Sequence, residues 1–484
     1  MANKKFSEFT LKTDSANVDF VVGYDGTDNV RIAPDNLGGG GASDLNGLSD
    51  VTIENTNENA YFVEIPASRS GDLGNLGLGV DALENLTGGD YNLAIGANAL
   101  NTLTTSQNAT AVGYNAGASA GTNLMGDTTL IGNNAGFGRS GYRTVAIGSG
   151  AMGFGSGKTA VNKNTAIGYH ALYRIDTNGA DNVALGHEAS QFLTTATKNI
   201  AIGDNAGRSS TATGHISLGY QAGYSHTSGA ETTNIGYQAG YSNTTSGWRT
   251  MFGYQAGKNN TGSFNVFMGA RAVSSGTGNG IQNVIIGYEA GKTLTNGSRN
   301  TAVGNQSMTA PVASEDNVAI GHEALKASGS KYFNTAVGSK AGNSVTTGQN
   351  LTMIGYDADA SSATATNEIT LGDANIATLR CQVQTISALS DSRDKTNIQP
   401  STYGLDLISQ LHPVTFDWNM RDGAKVGQKD LGFIAQELQE VDDENLQLVY
   451  DNNPDRLEAS YGRLIPVLVQ AIKELKAEVE LLKA

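Results

Sequence analysis

The chain has 484 residues and a formal net charge of −15, from 31 basic and 46 acidic side chains, and it shows no basic patch interleaved with aromatics, so no nucleic-acid partner is expected. No segment is long and apolar enough for membrane insertion, and Lys4-Lys5-Phe6 runs into polar residues, so no secretory signal is expected either. Cys381 is the one cysteine, which excludes an internal disulfide framework, points to maturation in a reducing cytoplasm and reads as a small buried hydrophobe.

Charge is spread unevenly. Residues 390–484 hold 27 of the 77 charged side chains, the pattern of an ordinary globular α+β domain. The rest is rich in Gly, Asn, Ala and Thr, and the 62 glycines are nearly twice the usual share of about 7%.

Residues 1–41 form a small β head. Phe6–Thr10 and Val18–Tyr24 read as short strands with a turn at Asp25-Gly26, and Gly38–Gly41 is a flexible break. Residues 42–74 read as a small β collar or linker.

From 75 to 378 one phrase recurs: polar, any, small, apolar, Gly, any, any, Ala. Its 18 glycines run from Gly79 to Gly372 at a period of about 17 residues, the mark of a stacked repeat architecture. The residue before each glycine is apolar in all 18 copies and is expected to point inward. The glycine permits a backbone that a β-carbon would forbid, and the alanine lets coils approach. Asparagines at the phrase start (Asn92, Asn182, Asn199, Asn283, Asn317, Asn334) are expected to ladder through their amides. Proline is absent between Pro66 and Pro311, as a continuous ladder of backbone hydrogen bonds requires. The fold class is therefore mainly β, a left-handed parallel β-roll or β-solenoid, with three chains sharing an axis.

Seven copies place tyrosine after the glycine: Tyr114, Tyr169, Tyr220, Tyr237, Tyr254, Tyr288 and Tyr356. Stacking between coils is the expected role, with sugar binding the alternative. His187 and His322 share a phase but make no metal pattern, and the scattered acids form no glycosidase pair, so neither metal nor cofactor is expected.

Residues 379–389 link the repeats to a serine and a lysine five apart, in Leu389-Ser390-Asp391-Ser392-Arg393-Asp394-Lys395. Lysine can serve as the base for a serine nucleophile when burial lowers its pKa. Near the C-terminus, Ile465, Leu468, Ile472, Leu475, Val479 and Leu482 follow the spacing of a coiled-coil seam on a helix beginning near Ser460. The β-branched/Leu pattern favours two strands in isolated coils, but the seam is short, so the rest of the domain is expected to set the number at three.

Ser390-Asp391, Arg393, Lys395–Ile398, Leu411–Val414, Asp417-Trp418 and Gly432–Glu437, with the C-terminal helix, resemble the intramolecular chaperone auto-processing domain of phage tailspikes and tail fibres. The repeat phrase resembles the shorter head repeats of trimeric bacterial adhesins and phage fibres, and residues 1–40 resemble the N-termini of tailed-phage structural proteins. These resemblances imply a homotrimer assembled in the host cytoplasm and carried on the virion. The head would dock on phage tail or baseplate proteins, and the repeats would meet a bacterial surface receptor such as a polysaccharide. They further imply self-cleavage between Leu389 and Ser390, with Ser390 as nucleophile and Lys395 as base. Asp391, Arg393 and Asn397 would orient the pair or bridge chains. A trimeric bacterial adhesin and a polysaccharide-degrading spike are the alternatives. The first needs an export signal and an anchor; the second needs clustered acids on a sizeable insertion, which regular coils lack.

Overall fold

The computed structural model describes residues 20–24, 28–32, 63–64, 74–119, 126–139, 141–153, 161–176, 178–229, 231–245, 247–311, 313–327, 329–376, 378–382, 390–421, 425–451 and 453–483. The chain divides into two compact units, Met1–Ser274 and Ser275–Ala484.

In the first unit, Phe20–Tyr24 pairs antiparallel with Asp28–Ile32, the hairpin expected around Asp25-Gly26. The expected strand at Phe6–Thr10 lies outside the described residues. Val63–Glu64 pairs antiparallel with Leu76–Leu78, the first repeat strand. Twelve short strands follow one per repeat, Leu76–Leu78 through Val266–Met268, each parallel to the next in register, as in Val183↔Ile200 and Ala184↔Ala201. Six more, Val284–Ile286 through Ile369–Leu371, form the parallel ladder of the second unit. One coil per repeat is thus a parallel β-solenoid.

The inward face differs from expectation. Alternation along a strand sends every second residue to the same side, and the buried residue is the middle one: Ala94, Ala146, Ala184, Ala302 and Ala336 are fully buried. The apolar residue before the glycine points outward, and Ile202, Phe252, Ile320 and Ile354 are 40–50% exposed. Alanine is the commonest inward residue, and larger side chains such as Leu130, Met251, Phe267 and Ile285 take the same place in some coils.

The glycine and alanine of the phrase behave as read. Gly253 has φ +136°, and a β-carbon there would lie 2.6 Å from the Gly269 carbonyl oxygen of the next coil. The alanines three residues on, such as Ala206, Ala239 and Ala324, are buried. Left-handed positions recur on non-glycine residues two after the glycine (Asn205, Gln238, Glu323), five before it (Lys198, Trp248, Asp316) and, in some coils, four after it (Leu172, Leu325).

The asparagine ladder is continuous where asparagine persists. In the second unit Asn300, Asn317 and Asn334 each donate a backbone N–H to the amide oxygen of the asparagine one coil earlier, at 3.0–3.1 Å. In the first unit Asn199 does the same to Asn182 at 3.0 Å. These buried amides satisfy donors that would otherwise cost free energy. Outside the coils, Tyr220, Tyr237 and Tyr254 stack at 5.0–5.2 Å between ring centres, the expected arrangement.

After the last repeat strand, Cys381 is exposed, against the expectation of burial. The C-terminal region carries helix α1 (Leu405–Gln410), the hairpin Val414–Asp417/Lys429–Gly432, helix α2 (Ala435–Val441), the short hairpin Val449–Tyr450/Glu458–Ala459 and helix α3 (Leu464–Lys483). Its core is small: Leu407, Leu438, Leu446, Leu448, Leu464 and Val467. None of the helices is long and apolar enough to cross a membrane, among the described residues.

Candidate functional site: a serine–lysine pair at the head of the C-terminal domain

Ser390 opens the domain, and a single 3-10 turn at Ser392–Asp394 folds the chain back behind it. Asp391 makes that turn. Its carboxylate caps the turn by accepting the Arg393 backbone N–H at 2.8 Å and grips the Arg393 guanidinium at 2.6–3.1 Å. Those hydrogen bonds hold the Asp391 carboxyl below the usual carboxylate range. The turn closes with the Lys395 backbone N–H on the Ser392 carbonyl. The Lys395 ammonium thereby reaches the Ser390 hydroxyl, Nζ to Oγ 2.6 Å.

The sequence-predicted residues thus come together in part. Ser390 and Lys395 touch, and Asp391 and Arg393 build the turn that brings them into contact. Asn397 sits in the left-handed region at φ +53°, where asparagine is tolerated, and redirects the chain beyond the pair. Leu389 lies outside the described residues. Ser390, Asp391, Arg393 and Lys395 are all exposed.

The rest of the motif is scaffold. Trp418 donates its indole N–H to Asp430 at 3.2 Å and packs edge-on against Phe416. Tyr461 stands edge-on to Phe433 and accepts the Phe433 backbone N–H at 3.1 Å. Gly432 leaves room for that hydroxyl, since a β-carbon there would lie 2.5 Å from it. The N-terminus of α1 is held by Glu474 of α3, which accepts the Leu405 N–H at 2.6 Å.

Helix α3 has two faces. Leu464, Val467 and Ala471 are buried against the domain. Ile465, Leu468, Ile472, Leu475, Val479 and Leu482, the expected seam, are 39–86% exposed in the single chain. The helix begins at Leu464, after a 3-10 turn at Tyr461–Arg463.

The domain also reaches the final coil of its own unit. Asn453 donates to the Ser361 carbonyl at 2.7 Å, and the Tyr450 hydroxyl bonds to the Glu368 carboxylate. Sequence reading singled out neither residue, although Glu368 stands at the ladder position four before Gly372.

A repetitive parallel β-solenoid followed by a small α/β domain is the organisation of a tailspike or tail fibre with a C-terminal chaperone. The chain carries such a domain: residues 390–447 match the family described as chaperone of endosialidase. No curated protein and no solved structure matches the chain.

Proposed function

We propose that this protein is a phage tail fibre or spike that attaches the virion to a bacterial surface. Its C-terminal domain gathers three copies and then cuts itself away between Leu389 and Ser390. The observation that carries the reading is the 2.6 Å contact of Ser390 with Lys395 at the first residue of the chaperone match.

Two exposed apolar faces support a homotrimer. The α3 seam is one. The other is the outward side of the repeat strands in both units, where each strand offers an apolar residue before the glycine and an aliphatic residue or threonine two earlier, as in Ile200/Ile202 and Val318/Ile320. Repeated apolar faces of this extent mark association surfaces. Three copies sharing them offset the entropy of ordering a chain whose interior is mostly alanine.

Cleavage follows from the pair. Lys395 takes the Ser390 hydroxyl proton as Oγ attacks the Leu389 carbonyl carbon, and the C–N bond breaks as the Ser390 nitrogen gains a proton. Water then hydrolyses the ester. Once the clasp is gone the repeats cannot readily unfold and reassemble, so the mature fibre is trapped kinetically. Asp391 and Arg393 position the turn, and the N-terminal head docks on the phage tail or baseplate.

Gel electrophoresis and intact mass of the expressed protein test this. The expected products are residues 1–389 and 390–484, with Ser390 at the new N-terminus, and Ser390→Ala is expected to leave only full-length chain. Uncut wild-type trimer would overturn the cleavage, and an uncut monomer would overturn the whole reading.

A further inference from the structure

The interior of the first unit changes character over three coils. The ladder position, four residues before the repeat glycine, is asparagine at Asn182 and Asn199 and then becomes His215, Thr232 and Arg249 before asparagine returns at Asn265. The position seven residues after the glycine changes with it, from Leu193 to Ser210, His226, Asn243 and Asn260. All of these side chains are buried, none more than 3% exposed.

The arrangement concentrates positive charge and hydrogen-bond donors. Arg249 has one nitrogen, Nη1, on the carbonyls of Asn260 (2.8 Å) and Gly262 (3.3 Å). Its Nε and Nη2 have no partner among the described residues. The His215 and His226 rings meet edge to face at 4.1 Å. His215 Nδ1 accepts the Thr232 backbone N–H, and His226 Nδ1 accepts from the Asn243 amide, so each ring keeps its proton on Nε2. The Gly229 carbonyl lies close enough to both rings to favour their protonated forms, while neither Nε2 makes a well-aligned hydrogen bond among the described residues. With Asn260 Nδ2, five donors without a hydrogen-bond partner among the described residues stand against one such obligate acceptor, Asn234 Oδ1.

No carboxylate answers them. Between Asp204 and Glu289 the sequence holds a single acid, Glu231, and it is exposed. The other buried arginine of this unit, Arg139, does have Asp176, at 3.4 Å. A buried guanidinium without a counter-charge is costly, and Thr232, the shortest of the three ladder side chains, lies between His215 and Arg249.

We propose that the solenoid interior at His215, His226, Asn260 and Arg249 holds a small monovalent anion of the halide class. The Arg249 guanidinium neutralises it, and the two imidazole N–H groups and the Asn260 amide complete its shell. The ion fixes the register of the coils that carry the exposed Tyr220–Tyr237–Tyr254 stack. It is a counter-ion built into the fold.

The test is ion chromatography of purified wild-type protein, dialysed against halide-free buffer and then unfolded in acid to release any trapped ion. About one halide per chain is expected from wild type and none from Arg249→Met. Thermal unfolding at constant ionic strength is the second arm. Replacing a bulky organic anion by bromide is expected to raise the midpoint by about 2 °C per decade of bromide in protein refolded without halide. Water as the sole occupant would give no released halide and no anion-specific shift. That pair of results in the wild-type protein overturns the proposal, whether or not Arg249→Met folds.

Discussion

The Lys395 ammonium lies 2.6 Å from the Ser390 hydroxyl, and both side chains are exposed in the single chain. A lysine becomes a base only when a low-dielectric surrounding strips its proton, so on the proposed function the burial that arms this pair would come from neighbouring copies. Cutting is therefore expected to depend on assembly. Lys395→Ala should form the same oligomer as wild type, by light scattering, with cleavage slowed about 100- to 10,000-fold. Wild-type cutting speed in that variant would remove the lysine from the chemistry.

The two faces of α3 make separable predictions. Ile472 is 65% exposed on the seam, whereas Val467 is 3% exposed in the domain core. Ile472→Asp is expected to keep the circular dichroism of the isolated fold yet sediment as a monomer and remain uncut. Val467→Asp buries an unpaired charge and should unfold the domain outright, a loss on the order of 3–5 kcal/mol. An Ile472→Asp protein that still trimerises and cuts would place the clasp elsewhere.

Much of this was legible in the residues. The repeat glycines and alanines fixed the coil, because a β-carbon at Gly253 collides with backbone whatever surrounds it. The Ser390–Lys395 pair was read from its residue types, its spacing and a family resemblance, whereas the Asp391 cap that folds the turn between them was not. Which strand face turns inward was misread at Ile202 and its equivalents. Apolar character alone favours the inside, but strand alternation gives the inward place to the middle residue, most often alanine and in some coils Leu130, Met251, Phe267 or Ile285. The change at His215, Thr232 and Arg249 was present in the phase of the ladder, yet only its asparagines drew notice. The exposure of Lys395 was beyond the sequence, since residue types and spacing do not say how deeply a side chain is covered.

Burial makes stability depend on pH at the interior histidines. Desolvation lowers His215 from 6.5 to about 4, helped by nearby Arg249 and opposed by the Gly229 carbonyl. His226 falls to about 3 through desolvation and the charges of His215 and Arg249. Both rings are neutral when folded, so the unfolded chain binds more protons below pH 6.5. The contribution of the two histidines should be constant above that pH and fall between about 6.5 and 3, by a few kcal/mol per chain in all. Thermal melts from pH 8 to 4 in halide-free buffer check this. His215→Asn, which restores the ladder residue, should flatten the curve, and a flat wild-type curve would mean that the rings are solvated.

Lys331 gives the opposite kind of test, because its burial is uncompensated. Its side chain is 0% exposed and its ammonium bonds, among the described residues, only to the Ala327 carbonyl, so desolvation lowers it from 10.5 to about 8. The folded chain gives up this proton before the unfolded chain does, so stability should rise as pH climbs from about 8 toward 10.5. Lys331→Met keeps the length of the side chain and removes the buried charge. At pH 7 it is expected to raise the unfolding midpoint, by the mechanism that makes apolar replacements of buried ions stabilising. Calorimetry showing a lower midpoint for Lys331→Met would indicate a partner for the ammonium in the assembled fibre.

Two glycines separate backbone necessity from mere composition. At Gly253 a methyl group would meet the next coil at 2.6 Å from a position with φ +136°, so Gly253→Ala forces neighbouring coils apart. The expected cost is on the order of 2–4 kcal/mol, and the paired strands on either side of the clash, Arg249–Phe252 and Val266–Met268, should lose protection in hydrogen exchange. Gly88 has no atom within 4 Å of the β-carbon it would gain, and its φ is not in the left-handed region. Gly88→Ala should be neutral or stabilising by up to about 1 kcal/mol, through the smaller entropy of the unfolded chain. Equal destabilisation by the two substitutions would show that contact between coils is not what glycine secures here.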